Sequence, residues 1–332
     1  MSVEVKLFDS VNEASADAAG GLDRQAQPSL YDRLDWYGMV AEHCALPGRP
    51  IVARARHLQG QAWMFLAVAG GKARAWASWY SLRWRPIGDP DLFRHILATL
   101  RDRRISALDL APLEQTEPLV RACAESGWIA FVEPHKANWR AFTQGMDFDA
   151  YWARRPGRLR STAKRKAKAA GLEIEIFDRF DAGAWAEYEA VYEASWKPDE
   201  GSPAFLRALA EQEGAAGTLR LGIARKDGAA LAAQLWLIEH GEATIHKLAY
   251  REEAKALSPG TVLSMAMFRR ALDEDRVALI DYGTGDEPYK ADWMDERRTL
   301  WRLRAYNRRT LRGLAGAARR AASSLVARTL SR

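Results

Sequence analysis

Hydrophobic and polar positions follow two periods along this chain, and together they predict a mixed α/β protein. In the first half, apolar residues recur at helical spacing in some stretches and alternate or cluster at strand length in others. The predicted helices are residues 29–44, 92–101 and 117–126, and the predicted strands are residues 51–55, 63–68, 73–80, 107–110 and 128–132.

The second half begins near residues 143–148 and shows the same two patterns. Its predicted helices are residues 148–153, 158–170, 182–196 and 202–213, and its predicted strands are residues 172–177, 219–224 and 230–239. The turn Lys226-Asp227-Gly228 joins the last two as a hairpin. We predict an α/β fold with a mixed sheet in each of two domains, residues 1–145 and 146–300. An arginine-rich helical tail follows over residues 301–332.

Residues 243–293 hold the most informative pattern, in the order strand, helix, strand. Ser258-Pro259-Gly260 begins the predicted helix 260–273, with Ser258 as a candidate N-cap and Pro259 suited to the first helical position. Free N–H groups at such a helix start bind phosphates well. Ser258, Gly260 and Thr261 are therefore the predicted pyrophosphate-binding residues, and an ordinary capped helix or a site for a different acyl carrier is the alternative.

Composition limits the classes of protein that fit. The chain has 332 residues, 48% of them hydrophobic, which is enough to build two cores. Two cysteines argue against a disulfide scaffold or a thiolate metal site, so no metal is expected. No apolar run approaches the about 18 residues that cross a bilayer. The first residues lack a basic start followed by an apolar run, so no signal peptide is expected. A cytoplasmic location is the expectation.

The net charge of +6 is unevenly distributed. Residues 297–332 contain eleven arginines and no acidic residue, and residues 154–168 carry eight positive charges and no negative one. The rest of the chain is acidic. This asymmetry predicts anionic partners, which could be lipid headgroups, nucleotide phosphates or nucleic acid. A solvated helix face and a plain tail are the alternative.

His246 and Asp281 are the candidate catalytic residues. An amine nucleophile must lose a proton before it attacks a carbonyl group, and a histidine or a carboxylate is a suitable base. Asp281 ends an apolar run at the carboxyl edge of a predicted strand, where the ligand sites of α/β sheets lie. His246 and Lys247 are neighbours on a strand and are expected on opposite faces. A structural role is the alternative for His246.

Six residues are candidate substrate contacts because they follow strands or end helices near this segment. Gly283 and Gly285 supply bends that would turn the loop after Asp281 inward. The six are Trp196, Lys247, Tyr250, Tyr282, Asp286 and Lys290. Core packing is the alternative for Trp196, and capping of a turn is the alternative for Asp286.

Four sequence pieces over residues 151–303 give the chain a family resemblance. They are RLRSTAKRKAKAAG, YEASWKP, the strand followed by SPG, and DYGTGDEPYKADW. In this order they resemble the GNAT acyltransferase superfamily and, within it, the CelD/BcsL-like branch that is related to the FemA/FemX peptidoglycan-bridge enzymes.

The resemblance implies tandem GNAT-like domains, of which the first is degenerate and the second functional. It also implies acyl-CoA as co-substrate, no permanently bound cofactor, and an N-acyltransferase that acts on an amine of a cell-envelope component. A sphingoid-type lipid amine and an amino sugar of a polysaccharide are the two acceptors that fit. Backbone N–H groups of residues 231–238 are the expected oxyanion donors.

Two other functions remain open at this stage. A FemX-like aminoacyltransferase that uses aminoacyl-tRNA would explain the basic segments equally well, and an accessory protein of envelope or exopolysaccharide biosynthesis would need no turnover. In the tail, Leu311, Leu314, Ala318 and Leu325 recur at helical spacing among arginines. This pattern favours an anionic membrane surface over nucleic acid, with the protein on the inner face of the cytoplasmic membrane.

Overall fold

The computed structural model describes residues 2–330, with side chains over residues 2–323. The chain divides into two compact units. The first unit comprises Met1–Lys136 together with Thr299–Arg332, and the second comprises Ala137–Arg298.

Residues 2–142 form both helices and strands. They are β1 Glu4–Phe8, α1 Val11–Ala18, α2 Leu34–His43, β2 Arg49–His57, β3 Gly60–Ala69, β4 Lys72–Ala75, β5 Ile87–Gly88, α3 Phe93–Asp102, β6 Ala107–Leu113, α4 Glu117–Glu125 and β7 Trp128–Phe142.

The elements that follow include every strand and helix of the candidate site. They are α5 Phe148–Ala153, α6 Gly157–Ala170, β8 Glu173–Phe177, α7 Ala182–Glu193, α8 Pro203–Ala215, β9 Leu219–Lys226, β10 Ala229–Glu239, β11 Glu242–Tyr250, α9 Pro259–Arg269, β12 Leu279–Thr284, α10 Lys290–Trp293, β13 Glu296–Asn307 and α11 Leu311–Leu330. The mixed α/β class that the sequence predicts is confirmed.

In the first unit the strands lie in the order β1-β2-β3-β4-β6-β13, and β5 pairs with β3. Most neighbours are antiparallel, but β4 and β6 are parallel. Strand β13 corrects the prediction that the helical tail begins at residue 301, because alternating side chains such as Leu303 and Ala305 are buried in this unit. The helix itself begins at Leu311.

In the second unit the strands lie in the order β7-β12-β11-β10-β9-β8. All neighbours are antiparallel except β11 and β12, which are parallel. Helices α5, α6 and α9 pack on one face of this sheet, whereas α7 and α8 pack on the other.

Aromatic rings hold α9 on its face of the sheet. The ring of Phe268 lies 5.1 Å from the rings of both Tyr151 and Trp236 and 4.9 Å from the ring of Trp293. Each such ring buries a large apolar area, and edge or offset contacts add about 1 kcal/mol per pair. This packing fixes α9 relative to β10, and it therefore fixes where the helix begins.

Candidate functional site

The parallel strands β11 and β12 pair over a short length and then diverge. Their register is Glu242↔Leu279, Ala243↔Ile280 and Thr244↔Asp281, and in the described part of the chain it goes no further, although β11 continues to Tyr250. Strands that stop pairing leave backbone N–H and C=O groups available on their facing edges. An opening therefore lies at the carboxyl ends of these strands, where ligands of α/β sheets bind.

A β-bulge in β11 lies beside this opening. On β10, Leu235 pairs with Lys247 and Trp236 pairs with Ile245, so His246 is the extra residue. The bulge breaks the strict alternation on which the opposite faces of His246 and Lys247 were predicted. It also leaves the extra residue outside the regular ladder.

His246 is buried in this bulge. Its pKa is lowered to about 3, mainly by burial and also by the positive charge of Lys247, and the carboxylate of Glu213 opposes both. The imidazole is therefore neutral near pH 7 and a weak proton acceptor. This environment fits a structural role better than the role of general base.

Asp281 is buried at the point where the strands part. Its Oδ1 accepts hydrogen bonds from Asn138 Nδ2 at 2.6 Å and from the backbone N–H of Gly283 at 2.7 Å. Its Oδ2 lies 3.6 Å from Arg298 Nη2. A carboxylate with these partners holds the bend after β12 in place, so the geometry supports a positioning role.

Helix α9 begins directly after β11 and a short 3₁₀ turn, Glu252–Leu257. Ser258 occupies the predicted N-cap position, but its side chain makes no capping hydrogen bond because its backbone adopts the left-handed conformation, with φ of 53°. The carbonyl of Ser258 instead accepts from the N–H groups of Thr261 and Val262. A Cβ at Gly260 would lie 3.2 Å from the ring of Tyr250, so the helix starts against that ring.

Trp196 joins Tyr250 at the same place. The two rings lie 4.2 Å apart, and the ammonium group of Lys197 lies 5.2 Å from the centroid of the Trp196 ring. Trp196 is also partly exposed. These side chains form an aromatic wall beside the start of α9.

Lys290, the first residue of α10, approaches from beyond the end of β12. Its Nζ donates to the carbonyl of Thr284 at 2.8 Å, pairs with Glu287 at 3.0 Å, and lies 5.4 Å from the ring centroid of Tyr282. Tyr282 is buried, and its ring meets that of Tyr289 edge-on at 5.9 Å.

Asp286 is not brought into this cluster. It is exposed and forms a two-point ion pair with Arg297, and that hydrogen bonding lowers its pKa. The predicted substrate contact at Asp286 therefore has no support in the geometry.

Three lysines converge at the opening: Lys197, Lys247 and Lys290. Burial is the largest cause of a lowered pKa in all three, and the carboxylates of Glu200 and Glu287 oppose it. Lys197 is also affected by repulsion from the other two ammonium groups, so all three interact. Buried charges that perturb one another in a concave region are typical of functional sites.

Sequence reasoning missed Lys197, Glu200 and Glu287 as members of this cluster. Lys197 and Glu200 flank the turn at the end of YEASWKP, and Lys247 Nζ donates to Glu200 Oε1 at 2.9 Å. The density of charged and aromatic residues in WKPDEG was a usable signal. The proximity of Lys197 and Glu200 to β11 could not be predicted from the sequence, because it depends on how α7 packs.

The basic helix α6 lies beside the start of α9. Lys166 Nζ donates to the carbonyl of Ala256 at 2.5 Å, and Arg158 pairs with Asp292 at 2.7 Å. Within the described residues, the other cations of this helix make no ion pair; they are Arg160, Lys164, Arg165 and Lys168.

Two kinds of site are absent from the described residues. They contain no group of three or more histidine, cysteine or carboxylate side chains placed to hold a metal ion. Nor do they include a helix that is long and apolar enough to cross a membrane.

The fold and the diverging parallel strands define an acyltransferase-type α/β domain. Residues 153–291 match the family model described as the acetyltransferase (GNAT) domain. The chain is therefore a transferase whose second unit belongs to the GNAT superfamily. None of the curated proteins compared with the chain matches it.

Solved structures share this fold at low sequence identity. FemX is 10% identical, with a TM-score of 0.58 over 92% of this chain and 97% of its own. A tandem GNAT protein from the clavulanic acid biosynthesis pathway is 14% identical, with a TM-score of 0.51 over 91% and 98%. The C-terminal domain of a putative lysylphosphatidylglycerol synthetase from Agrobacterium fabrum is 16% identical, with a TM-score of 0.51 over 80% and 85%.

Proposed function

We propose that the protein is an acyl-CoA-dependent N-acyltransferase of the CelD/BcsL-like branch, which transfers an acyl group to an amine of a cell-envelope component. The observation that carries the proposal is the separation of β11 and β12 after Thr244 and Asp281, with α9 starting directly beyond β11. This arrangement provides strand edges for an extended thioester arm and a helix start for its phosphates.

The donor would lie across the start of α9. Its phosphates would lie beside the side chains of Ser258 and Thr261 and the backbone N–H of Gly260, because the N–H groups of Ser258 and Thr261 donate to the carbonyls of Lys255 and Ser258. The cations of α6 would add charge complementarity. The acyl-pantetheine arm would pass between β11 and β12, with Tyr250 and Trp196 forming one wall.

In the reaction, the neutral amine nitrogen attacks the thioester carbonyl carbon. A C–N bond forms, the C–S bond breaks, the amine nitrogen loses a proton, and the thiolate leaves and is protonated to the free thiol. The bulge at His246 is the proposed oxyanion site. Residues 231–238, which were expected to fill that role, pair with both β9 and β11, so their N–H groups are used within the sheet.

Glu200 is the proposed proton acceptor, and His246 and Asp281 are proposed to position the strands around it. Glu200 is a largely buried carboxylate bonded to Lys247, the residue that follows the bulge. Its partner Lys247 directly follows the proposed oxyanion site, and a carboxylate beside that site can take the proton that the amine nitrogen loses as the C–N bond forms.

The acceptor is proposed to belong to the envelope, as a lipid amine or an amino sugar. One structural neighbour is part of a putative synthetase named for an aminoacylated phospholipid, which supports a lipid acceptor. The arginine-rich helix α11 supports contact with an anionic membrane surface, so the protein would act peripherally on the inner face of the cytoplasmic membrane.

Aminoacyl-tRNA is the second candidate donor, and one observation favours it. Four cations of α6 have no ion pair among the described residues, and such a row can follow a nucleic-acid backbone. Competition between acetyl-CoA and aminoacyl-tRNA for the purified protein separates the two donors.

A charge test at the start of α9 examines the acyl-CoA proposal. Thr261→Glu places a carboxylate where the phosphates would lie, and Thr261→Gln has the same size without the charge. We expect calorimetry to show CoA binding about tenfold weaker for the Glu variant than for the Gln variant, which corresponds to about 1.4 kcal/mol of repulsion. Equal affinities for the two variants, or no CoA binding by the unmodified chain, would refute the proposal.

A further inference from the structure

A groove of about 340 Å³ lies between α7 and α8, next to the opening of the strands. Its floor is aromatic: Trp185 and Tyr188 are buried, their rings lie 4.7 Å apart, and Tyr192 continues the row at 6.2 Å from Tyr188. These three residues share one side of α7 because they are spaced three and four apart.

The lining of the groove is predominantly acidic. Four carboxylates line it, Glu189, Glu193, Asp199 and Glu200, against one lysine, Lys197. An anionic ligand would be repelled by this lining. An ammonium group would be attracted both by the carboxylates and by the negative faces of the rings.

The protein already binds one ammonium group in this way. Lys247 Nζ lies 2.9 Å from Glu200 Oε1 and 5.4 Å from the ring centroid of Tyr192. Glu200 and Tyr192 both line the groove. The combination of a carboxylate and an aromatic face is thus an ammonium-binding arrangement of this fold, and Glu193 and Asp199 add two further carboxylates to the lining.

Charges are segregated between the groove and the opening. Lys290 lies on the side of the diverging strands, the other lining carboxylates lie on the side of α7, and the ion pair of Lys247 with Glu200 connects β11 to the groove. Lys197 lines the groove and directly follows Trp196, whose ring contacts Tyr250 beside the start of α9. A molecule held in the groove can therefore reach the proposed reaction centre.

We propose that this groove binds a positively charged ammonium group of the acceptor, so the acceptor is a diamine: one amine is held here and the other is acylated. The inference rests on the proposed function for the acylation step alone. An aliphatic diamine can be a free small molecule or the headgroup of a lipid, and both present the same chemistry to the groove.

Calorimetry on the full chain without donor tests the groove directly. Cadaverine is the diamine probe and pentylamine the monoamine of equal length. We expect cadaverine to bind about tenfold more tightly, because it can place a second ammonium group among the four lining carboxylates, where pentylamine places a methyl group. Equal affinity for the two amines would overturn the inference.

The variant Glu193→Gln/Asp199→Asn removes two exposed carboxylates from the lining of the groove. The matched control, Glu211→Gln/Asp227→Asn, removes the same two charges at exposed positions of the same unit outside the groove. We expect the diamine preference to fall about tenfold in the first variant and to persist in the control. An equal loss in both would mean that only net charge matters and would overturn the inference.

Two further experiments identify the source of the diamine and separate this inference from the proposed function. Cadaverine in buffer is compared with N-dodecyl-propanediamine in micelles, and preference for either supports a diamine from that source. If diamines bind without acetyl transfer from acetyl-CoA, the groove stands and the proposed function fails. If transfer proceeds onto monoamines and diamines alike, the function stands and the groove inference fails.

Discussion

Burial determines the chemistry that is available to His246. Because the folded chain holds the pKa of the imidazole at about 3, below its ordinary 6.5, protons bind to the unfolded chain more readily between these two values. Above pH 6.5 the imidazole is neutral in both states and has no effect on stability. As the pH falls from 6.5 towards 3, this residue lowers the free energy of unfolding by up to about 1.4 kcal/mol per pH unit.

His246→Gln should remove this pH dependence. Urea unfolding at pH 7 and pH 5 should show the unmodified chain losing about 2 kcal/mol more than the variant over that interval. His240→Asn, at an exposed turn, is the control and should keep the loss. An imidazole of His246 that titrates near pH 6.5 in the folded protein by NMR would contradict the prediction.

The same residue shows why part of the site could not be predicted from sequence. Alternation correctly identified strand 244–250 but placed His246 and Lys247 on opposite faces, because a bulge leaves no mark in an apolar pattern. Its position depends on the register with β10, a tertiary property. Lys290 was found because two glycines precede it, whereas Glu200 was missed because only packing of α7 brings it to Lys247.

At the scale of elements, local signals worked where one residue determines a boundary. Pro259 marks the start of α9, and Gly171 ends α6 in the left-handed conformation. Local sequence signals failed at residues 301–307, where arginines alternate with buried apolar residues on β13. A strand with one polar face and a basic helix share that composition, so pairing with β6 decides between them.

Close packing of α9 on β9 gives a prediction at this scale. A Cβ at Gly222 would lie 2.5 Å from Met267 Sδ and 3.1 Å from Leu263 Cδ1. Gly222→Ala must therefore shift the helix or its side chains, and we expect a loss of about 1–3 kcal/mol in the free energy of unfolding. Chemical denaturation measures it.

Gly157→Ala provides the matched control. Gly157 lies at the start of α6, and its added methyl group would meet nothing within 4 Å. Alanine has the higher helix propensity, so this variant should unfold at the same or a slightly higher urea concentration. If Gly222→Ala were as stable as Gly157→Ala, α9 would not be held against β9 as closely as described.

At the scale of the whole molecule, the uneven charge has two separate consequences. The cations of α6 belong to the second unit, beside the proposed donor site. Those of α11 belong to the first unit, where Gly316 packs against the ring of Tyr306 and leaves the opposite side of the helix exposed. The basic segments thus serve different surfaces, and their effects can be tested independently.

The exposed side of α11 combines apolar and cationic side chains. Leu311 is 86% exposed and Leu314 is 46% exposed, and Arg312 and Arg319 are exposed beside them. Leu325 lies outside the residues whose side chains the structure describes. Leucines that enter a membrane interface while arginines meet anionic headgroups would bind vesicles in a composition-dependent way.

Co-sedimentation with vesicles tests this surface. We expect binding to vesicles rich in anionic phospholipid and little binding to neutral vesicles. Arg312→Glu/Arg319→Glu should lower the partition coefficient by about tenfold or more, since each basic residue near such a surface contributes about 1 kcal/mol. Lys72→Glu, an exposed charge reversal on β4 of the same unit, is the control.

High salt and substitution of the leucines then separate the electrostatic contribution to vesicle binding from the apolar one. At high ionic strength, where the screening length falls to about 3 Å, the contribution of the arginines to vesicle binding should vanish and any contribution of the apolar side chains should remain. Leu311→Ser/Leu314→Ser should remove that remainder. If binding were equal for neutral and anionic vesicles, or if Lys72→Glu weakened it as much as the arginine variant, α11 would not be a membrane-binding surface. Donor binding by the second unit should be unaffected in either case, because the start of α9 contains none of the substituted residues.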